Sequence, residues 1–138
     1  MNLVDTSGWI EFLFDGPNAG VFAPAIEETS TLVVPVICLY EVFKKVNAVA
    51  DEARALQAVA QMKQGRVVDV TETIALRAAL ISLKHRLPMA DSLILSTAWA
   101  QQADLLTQDE HFIGLPGVKY TAARTGVPGT AVRKAGRG

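Results

Sequence analysis

The chain of 138 residues has a single cysteine, Cys38, which excludes an internal disulfide and a zinc site built from clustered cysteines. Cys38 has apolar neighbours, so we predict a small buried hydrophobic residue. Histidine is also scarce. His85 and His111 have no partner at metal-ligand spacing, and isolated histidines of this kind are typical of surface or packing positions.

The sequence also lacks a long hydrophobic run. No run reaches the roughly 18 apolar residues that a membrane span requires, and Asp5 interrupts the N-terminus before a signal-peptide core could form. We therefore predict a cytoplasmic protein without a membrane partner. The net charge of −1 neither demands nor excludes a nucleic-acid partner.

Acidic residues are absent from the last fifteen positions. From residue 124 the chain is basic, and beyond it glycine, proline, alanine, threonine and arginine predominate without an apolar stripe to bury. We therefore predict a single domain over residues 1–123 and a flexible basic tail over residues 124–138.

Within the domain, short apolar runs alternate with stretches that repeat apolar residues at helical spacing. Strands separated by helices imply right-handed crossovers, which produce an α/β fold with a parallel sheet between helices. The predicted strands are residues 2–5, 31–34, 66–70, 103–107 and 117–120.

Two apolar stripes predict buried helix faces. Trp9 and Trp99 lie on other apolar helices and are predicted to be core residues. The members of the two stripes are Leu39, Val42, Phe43, Val46 and Val49, and Leu76, Ala79, Leu80, Leu83 and Leu87.

Four acidic residues stand just past strand ends or within the following helices: Asp5, Glu41, Asp91 and Asp109. Open α/β folds gather such positions at the carboxyl edge of the sheet, where their sites lie. Carboxylates that meet there repel one another unless a hard cation joins them. Oxygen ligands alone suit Mg²⁺ or Mn²⁺, and we predict such a site, built from these four residues, that hydrolyses phosphodiesters.

Each acid also has a structural interpretation. Asp5 could cap the next helix, and Asp91 could simply favour the positive end of its helix dipole. Glu41 could pair with Lys45 four residues on. Asp109 could be a turn residue, with Glu110 as its substitute in the site. A basic run that includes Lys84 and Arg86 suits a helix C-terminus, or alternatively contacts RNA phosphates.

These residues together resemble the PIN-domain ribonucleases, and most closely the VapC-type toxins of toxin–antitoxin pairs. By that resemblance Asp5, Glu41, Asp91 and Asp109 form the acidic quartet, and Thr107 stands beside it, with Thr6 and Ser7 as supporting residues. The matching segments are residues 4–7 (VDTS), 34–35 with 40–41, 89–94 (MADSLI) and 105–112 (LLTQDEHF), so the likeness runs from residue 2 to about residue 120.

The resemblance implies a three-layer α/β/α sandwich with a short, mainly parallel sheet. It also implies dependence on Mg²⁺ or Mn²⁺ and endonucleolytic cleavage of RNA. A cognate antitoxin is the expected partner. The expected assembly is a homodimer, or a heterotetramer or larger complex with the antitoxin.

Three alternatives remain open from the sequence. A PIN nuclease of RNA processing or decay would have no antitoxin, although the small size and the lack of an attached RNA-binding domain favour the toxin. A metal-dependent phosphohydrolase with Asp5 as nucleophile would need a second aspartate where Ser7 stands. A binding module with a vestigial site has no reason to keep four carboxylates.

Overall fold

The computed structural model describes residues 1–124, so the predicted tail beyond Arg124 lies outside the described residues. A five-stranded sheet forms the centre of this part of the chain, with the order β3-β2-β1-β4-β5 and every neighbouring pair parallel. The strands are β1 (Asn2–Val4), β2 (Leu32–Pro35), β3 (Arg66–Val68), β4 (Asp104–Thr107) and β5 (Val118–Tyr120). All five predicted strands are present, with ends displaced by one or two residues, and the predicted α/β fold is confirmed.

Within the described residues six helices connect the strands and pack in pairs, α1 with α2, α3 with α4 and α5 with α6. Their bounds are α1 (Thr6–Leu13), α2 (Ala19–Glu27), α3 (Val36–Val49), α4 (Glu52–Met62), α5 (Glu72–His85) and α6 (Met89–Ala100). Short 3₁₀ turns at Thr29–Thr31 and Glu110–Phe112 precede β2 and follow β4. No helix within residues 1–124 is both long and apolar enough to cross a membrane.

The core lies between the sheet and the helices, and its largest side chains are aromatic. Trp9 and Phe12 of α1 are fully buried and meet edge to face, with ring centroids 6.3 Å apart. Cys38 is fully buried too, so both it and Trp9 confirm their predicted positions. The prediction for Trp99 was wrong. Trp99 is 37% exposed, and its indole N–H donates to the Pro116 carbonyl (2.9 Å) at the surface.

The predicted burial is confirmed for part of the apolar stripe on α3, but not for most of the stripe on α5. On α3, Val42 and Val46 are buried as predicted, whereas Val49 at the helix end is exposed. On α5 the prediction was wrong for most of the stripe, and the exposed fractions are 63% for Leu76, 67% for Leu80 and 80% for Leu83.

The face of α5 that is buried carries different residues. Ile74, Ala78 and Ile81 turn inward, and α5 packs against α6, where the Ser96 hydroxyl donates to the Ile74 carbonyl (2.8 Å). Two apolar stripes therefore compete on one helix, and only the one that meets α6 is covered within the described chain. The other leaves three large leucines facing solvent.

Candidate active site

All four predicted acids line one cavity of about 620 Å³. Asp5 follows β1, Asp109 stands two residues after β4, and β1 and β4 are adjacent in the sheet. Glu41 comes from the second turn of α3, and Asp91 from the first turn of α6. The fold thus brings residues that span more than a hundred positions to one edge, while their catalytic roles stay a prediction.

Asp5 is the most buried of the four, at 2% exposure. Its Oδ1 accepts from the Ser7 hydroxyl (2.7 Å) and the Gly8 backbone N–H (3.0 Å), so it also caps α1. Its Oδ2 accepts from the Thr107 hydroxyl (2.7 Å). Burial raises the pKa of Asp5 to about 6, although these three hydrogen bonds oppose the shift.

The predicted supporting residues connect the acids to one another. Thr107 is fully buried, and its hydroxyl donates to Asp5 while accepting from the backbone N–H of Asp109 (2.9 Å). Ser7 accepts from the backbone N–H of Gln108 (3.1 Å). These contacts hold the loop after β4 against the start of α1. They therefore determine the positions of Asp5 and Asp109 relative to each other.

Glu41 is held by a side chain at the start of α1. The Thr6 hydroxyl donates to its Oε1 (2.5 Å), and among the described residues no ion pair joins Glu41 to Lys45. The solvent-facing pair that the sequence left open is therefore not formed. Instead, the carboxylate is half-buried at the cavity wall.

Asp91 and Asp109 meet a third group, the imidazole of His111. Its Nδ1 lies 3.0 Å from Asp91 Oδ2 and 3.2 Å from Asp109 Oδ1. Burial, followed by the charge of Asp109, raises the pKa of Asp91, and the charge of Asp109 is the largest cause of a raised pKa at His111. Ligand atoms from these three residues all lie within 4.8 Å of one another, a spacing that suits a divalent cation.

His111 is exposed, as predicted for a surface residue, but it is not isolated, because its ring contacts two carboxylates. Its partners come from the start of α6, twenty residues away, and from Asp109. Partners distant in the sequence leave no spacing motif. The one available signal was its position, two residues after a candidate acid.

Asp109 serves as a turn residue as well, because its Oδ1 accepts from the backbone N–H of His111 (2.9 Å) and caps the 3₁₀ turn. Glu110, which the sequence offered as a substitute, is exposed and is not among the described residues that line the cavity.

The sequence and the fold of the chain are similar to those of known proteins. The sequence model of the PIN domain matches residues 3–117. The chain belongs to the PIN domain family. The predicted family is confirmed.

Solved structures give the same fold for this PIN domain. A toxin–antitoxin complex from Klebsiella pneumoniae is 25% identical with a TM-score of 0.71, covering 86% of this chain and 96% of that one. DNA-bound VapBC from Salmonella typhimurium is 18% identical with a TM-score of 0.70, covering 88% and 98%. VapC20 from Mycobacterium tuberculosis, a toxin that cleaves the sarcin–ricin loop, is 16% identical with a TM-score of 0.64, covering 75% and 85%. A comparison with curated sequences finds no significant match.

The basic side chains beside the cavity of this PIN domain are not the ones that the sequence predicted. Lys44 and Lys45 of α3 line the cavity, whereas Lys84 and Arg86 are not among the described residues that do so. Lys84 lies in the last turn of α5, and Arg86 ends that helix in a left-handed conformation (φ 56°), which is common at helix C-termini. Their role in binding RNA stays a prediction without support from the cavity.

A further polar cluster behind the site of the PIN domain was not foreseen. Asn18 is 1% exposed, and its side-chain amide donates to Gln108 Oε1 (3.1 Å) and to the Ala122 carbonyl (3.0 Å). Glu11 accepts from the Asn18 backbone N–H (2.6 Å) and from the Gln108 amide (3.2 Å). These bonds fasten the α1–α2 loop to the loop that bears Asp109. An isolated asparagine before a helix gives no sequence signal for this role.

Proposed function

We propose that this chain is a metal-dependent endoribonuclease that acts as the toxin of a toxin–antitoxin pair. The observation that carries the proposal is the lining of one cavity by four carboxylates, Asp5, Glu41, Asp91 and Asp109. The carboxylates of such a group repel one another unless a cation is bound between them. A bound cation would relieve this repulsion, so the four carboxylates indicate a cation site.

Asp91 and Asp109 have the donor atoms best grouped to hold Mg²⁺ or Mn²⁺, and Asp5 and Glu41 complete the negative wall. When bound, the cation supplies Lewis acidity and offsets the repulsion between the carboxylates and the substrate phosphate. Glu41 is half-buried at the wall, and one of its oxygens accepts from Thr6. We assign it the role of taking a proton from the attacking water.

The lysines and the shape of the cavity suit a polyanionic substrate. Lys44 and Lys45 stand on the same helix as Glu41, and Lys44 also lies over the ring of Tyr40, 5.7 Å from its centroid. Positive charge at the rim of an acidic pocket attracts the backbone phosphates, while the acids within it act on the scissile one. Single-stranded RNA suits such a site because its bases can be splayed out, which leaves its backbone accessible.

An antitoxin partner is supported by the toxin–antitoxin complexes among the similar structures and by a second groove. This groove, of about 790 Å³, runs along α3 and α4 between Val36 and Val59, and Leu39 and Phe43 form part of its apolar lining. It shares Tyr40, Lys44 and Ala48 with the acidic cavity.

The continuity of the groove and the cavity suits a single occupant. We expect the C-terminal segment of the antitoxin to lie along α3 with its apolar side in the groove. An arginine of that segment would then enter the acidic cavity. Its planar guanidinium can pair bidentately with carboxylates and displace the cation.

A cleavage assay tests the nuclease. The purified chain should cut RNA internally with Mg²⁺ or Mn²⁺, and cutting should stop in excess chelator. Asp91→Asn and Asp109→Asn should each lower the rate by at least about a hundredfold, because altering even a group that supports a metal ligand costs up to that much. The matched control is Glu110→Gln, one residue away and exposed, which should keep the wild-type rate. Full activity in chelator would remove the cation from the mechanism.

A growth assay separates the toxin from the RNA-processing alternative. Expression of the wild-type chain should arrest growth, co-expression of the antitoxin should restore it, and Asp91→Asn should be harmless. If cells tolerate abundant wild-type chain that still cleaves RNA in vitro, the toxin role is wrong and the processing nuclease takes its place.

A further inference from the structure

His111 has a position in the site that the acidic quartet does not explain. It lies on the 3₁₀ turn after β4, and its side chain is 59% exposed. Even so, Nδ1 turns inward to both Asp91 and Asp109, while its backbone N–H is held by Asp109. The ring is therefore fixed from two sides against the two carboxylates that best fit a cation.

We propose that Nδ1 of His111 is a ligand of the divalent cation held by Asp91 and Asp109, which makes the centre a mixed nitrogen and oxygen site. This inference rests on the proposed function, since it needs a cation at the acidic cavity. It changes the expected donor set, because the sequence predicted oxygen ligands alone.

The distances between the donor atoms support ligation. Two neighbouring ligands of an octahedral ion, each 2.0–2.1 Å from the metal, are about 2.9 Å apart. Nδ1 lies 3.0 Å and 3.2 Å from the two carboxylate oxygens, close to that separation. The ligand atoms of the three residues all lie within 4.8 Å of one another, so an inward movement of these groups lets them bind one ion. Ligation through Nδ1 leaves the ring proton on Nε2, at the exposed side of the ring.

The donor set has a consequence for the choice of metal. Mg²⁺ prefers oxygen and binds through one or two carboxylates and several waters, whereas imidazole suits first-row transition ions. An imidazole beside two carboxylates therefore favours Mn²⁺ and its heavier neighbours over Mg²⁺. In this chain His111, and none of the four acids, sets that preference.

Pulsed electron paramagnetic resonance of bound Mn²⁺ tests the ligand directly, without an activity assay. The full chain, stripped of metal and loaded with one equivalent of Mn²⁺, should show a coupling to directly bound ¹⁴N. Labelling with ¹⁵N-histidine should change that coupling. The chain has only two histidines, so His85→Asn is the matched control and should keep the signal, whereas His111→Asn should lose it.

Binding affinities provide the second measurement. His111→Asn should raise the dissociation constant for Mn²⁺ by about tenfold or more and that for Mg²⁺ by a smaller factor, so that the selectivity between the two ions falls. Mn²⁺ that binds the wild-type chain without nitrogen coupling would overturn the ligand role and leave the nuclease proposal standing. Failure of the wild-type chain to bind any divalent cation would overturn both.

Discussion

At the scale of single residues, Asp5 combines two roles that the sequence presented as alternatives. It caps α1 through Gly8, and it forms the deepest acid of the cavity. The two roles are compatible because a carboxylate has two oxygens with about four acceptor positions. Three hydrogen bonds occupy part of that capacity, which leaves room on Oδ2 for one further partner.

The raised pKa of Asp5 has a consequence for stability. Its folded value of about 6 exceeds the ordinary 3.8, so the folded state holds the proton more tightly than the unfolded state. The contribution of Asp5 to the free energy of unfolding of the metal-free protein is therefore fully present below pH 4. It is lost as the pH rises to 6. We predict that Asp5→Asn becomes more stable relative to wild type across this range, by up to about 3 kcal/mol. Urea unfolding in chelator between pH 4 and pH 8 measures the difference.

A control of opposite sign is available at Asp51, the exposed cap of α4. Its pKa is lowered by the backbone N–H and the charge of Arg54, so its contribution is present at neutral pH and is lost on acidification. Asp51→Asn should therefore lose stability relative to wild type as the pH rises. The same pH trend in both variants would show that ionisation of Asp5 is not the cause.

The residues of the site were predictable to the extent that each one follows a recognisable element. The four acids could be selected because a strand end or a helix start marks each position. His111 could not, because its significance comes from Asp91, which the fold brings near from another helix. The contact between Thr6 and Glu41 likewise depends on how α3 packs beside α1, which no local pattern encodes.

At the scale of elements, α1 packs close to β1 and α2 because Gly8 has no side chain. A Cβ at this position would lie 2.6 Å from Val4 Cγ1 and 2.8 Å from Phe22 Cδ1, and both residues are fully buried. The same glycine donates its N–H to Asp5. The approach of these elements therefore also sets the position of a site residue.

Two glycine substitutions should have opposite effects on stability. We predict that Gly8→Ala destabilises the fold by about 1–3 kcal/mol, because neither buried neighbour can move aside without strain. Gly20→Ala, in α2, meets nothing within 4 Å and should stabilise by about 0.5–1 kcal/mol through its higher helix propensity. Thermal and urea unfolding compare the two. If both variants lose stability, a factor other than steric space disfavours alanine at position 20 of α2.

The elements themselves were predictable where one principle dominates. Short apolar runs identified the strands because a parallel sheet is buried on both faces. No pattern predicted α2, which contains Pro24 and Gly20 and forms because Phe22 and Ile26 are buried. On α5 the helix was predictable but its inward face was not, since both of its apolar stripes fit a core and only packing against α6 decides between them.

At the scale of the whole molecule, the outward leucines of α5 form an apolar surface that a lone domain does not need. Leu76, Leu80 and Leu83 define this leucine face, and the exposed Met89 lies with Leu83 at a neighbouring cavity. Met89 is two residues before Asp91. The leucine face therefore adjoins the start of the helix that bears Asp91. Large contiguous apolar surfaces of this kind mark association sites.

The charges beside the leucine face suit a second copy of the chain. Glu72, Leu76, Leu80 and Lys84 follow one another at intervals of four residues, so they form one ridge on α5. In an antiparallel pairing about a two-fold axis, placing Leu76 opposite Leu80 of the other copy also places Glu72 opposite Lys84. The ridge is thus complementary to itself, as a two-fold interface requires.

We predict that the chain forms a homodimer through the leucine face and that Leu80→Glu dissociates it. The two-fold axis places both copies of Leu80 in the interface, and central apolar contacts cost about 2 kcal/mol or more when lost. The dissociation constant should therefore rise by at least about a hundredfold, as measured by sedimentation.

Leu56→Glu, at an exposed leucine of α4, is the matched control and should leave the dimer intact. Glu72→Lys should weaken the dimer, and adding Lys84→Glu should restore it, because the reversed pair is again complementary. A wild-type chain that stays monomeric alone, yet loses its antitoxin through Leu80→Glu, would assign the leucine face to the antitoxin and contradict the homodimer.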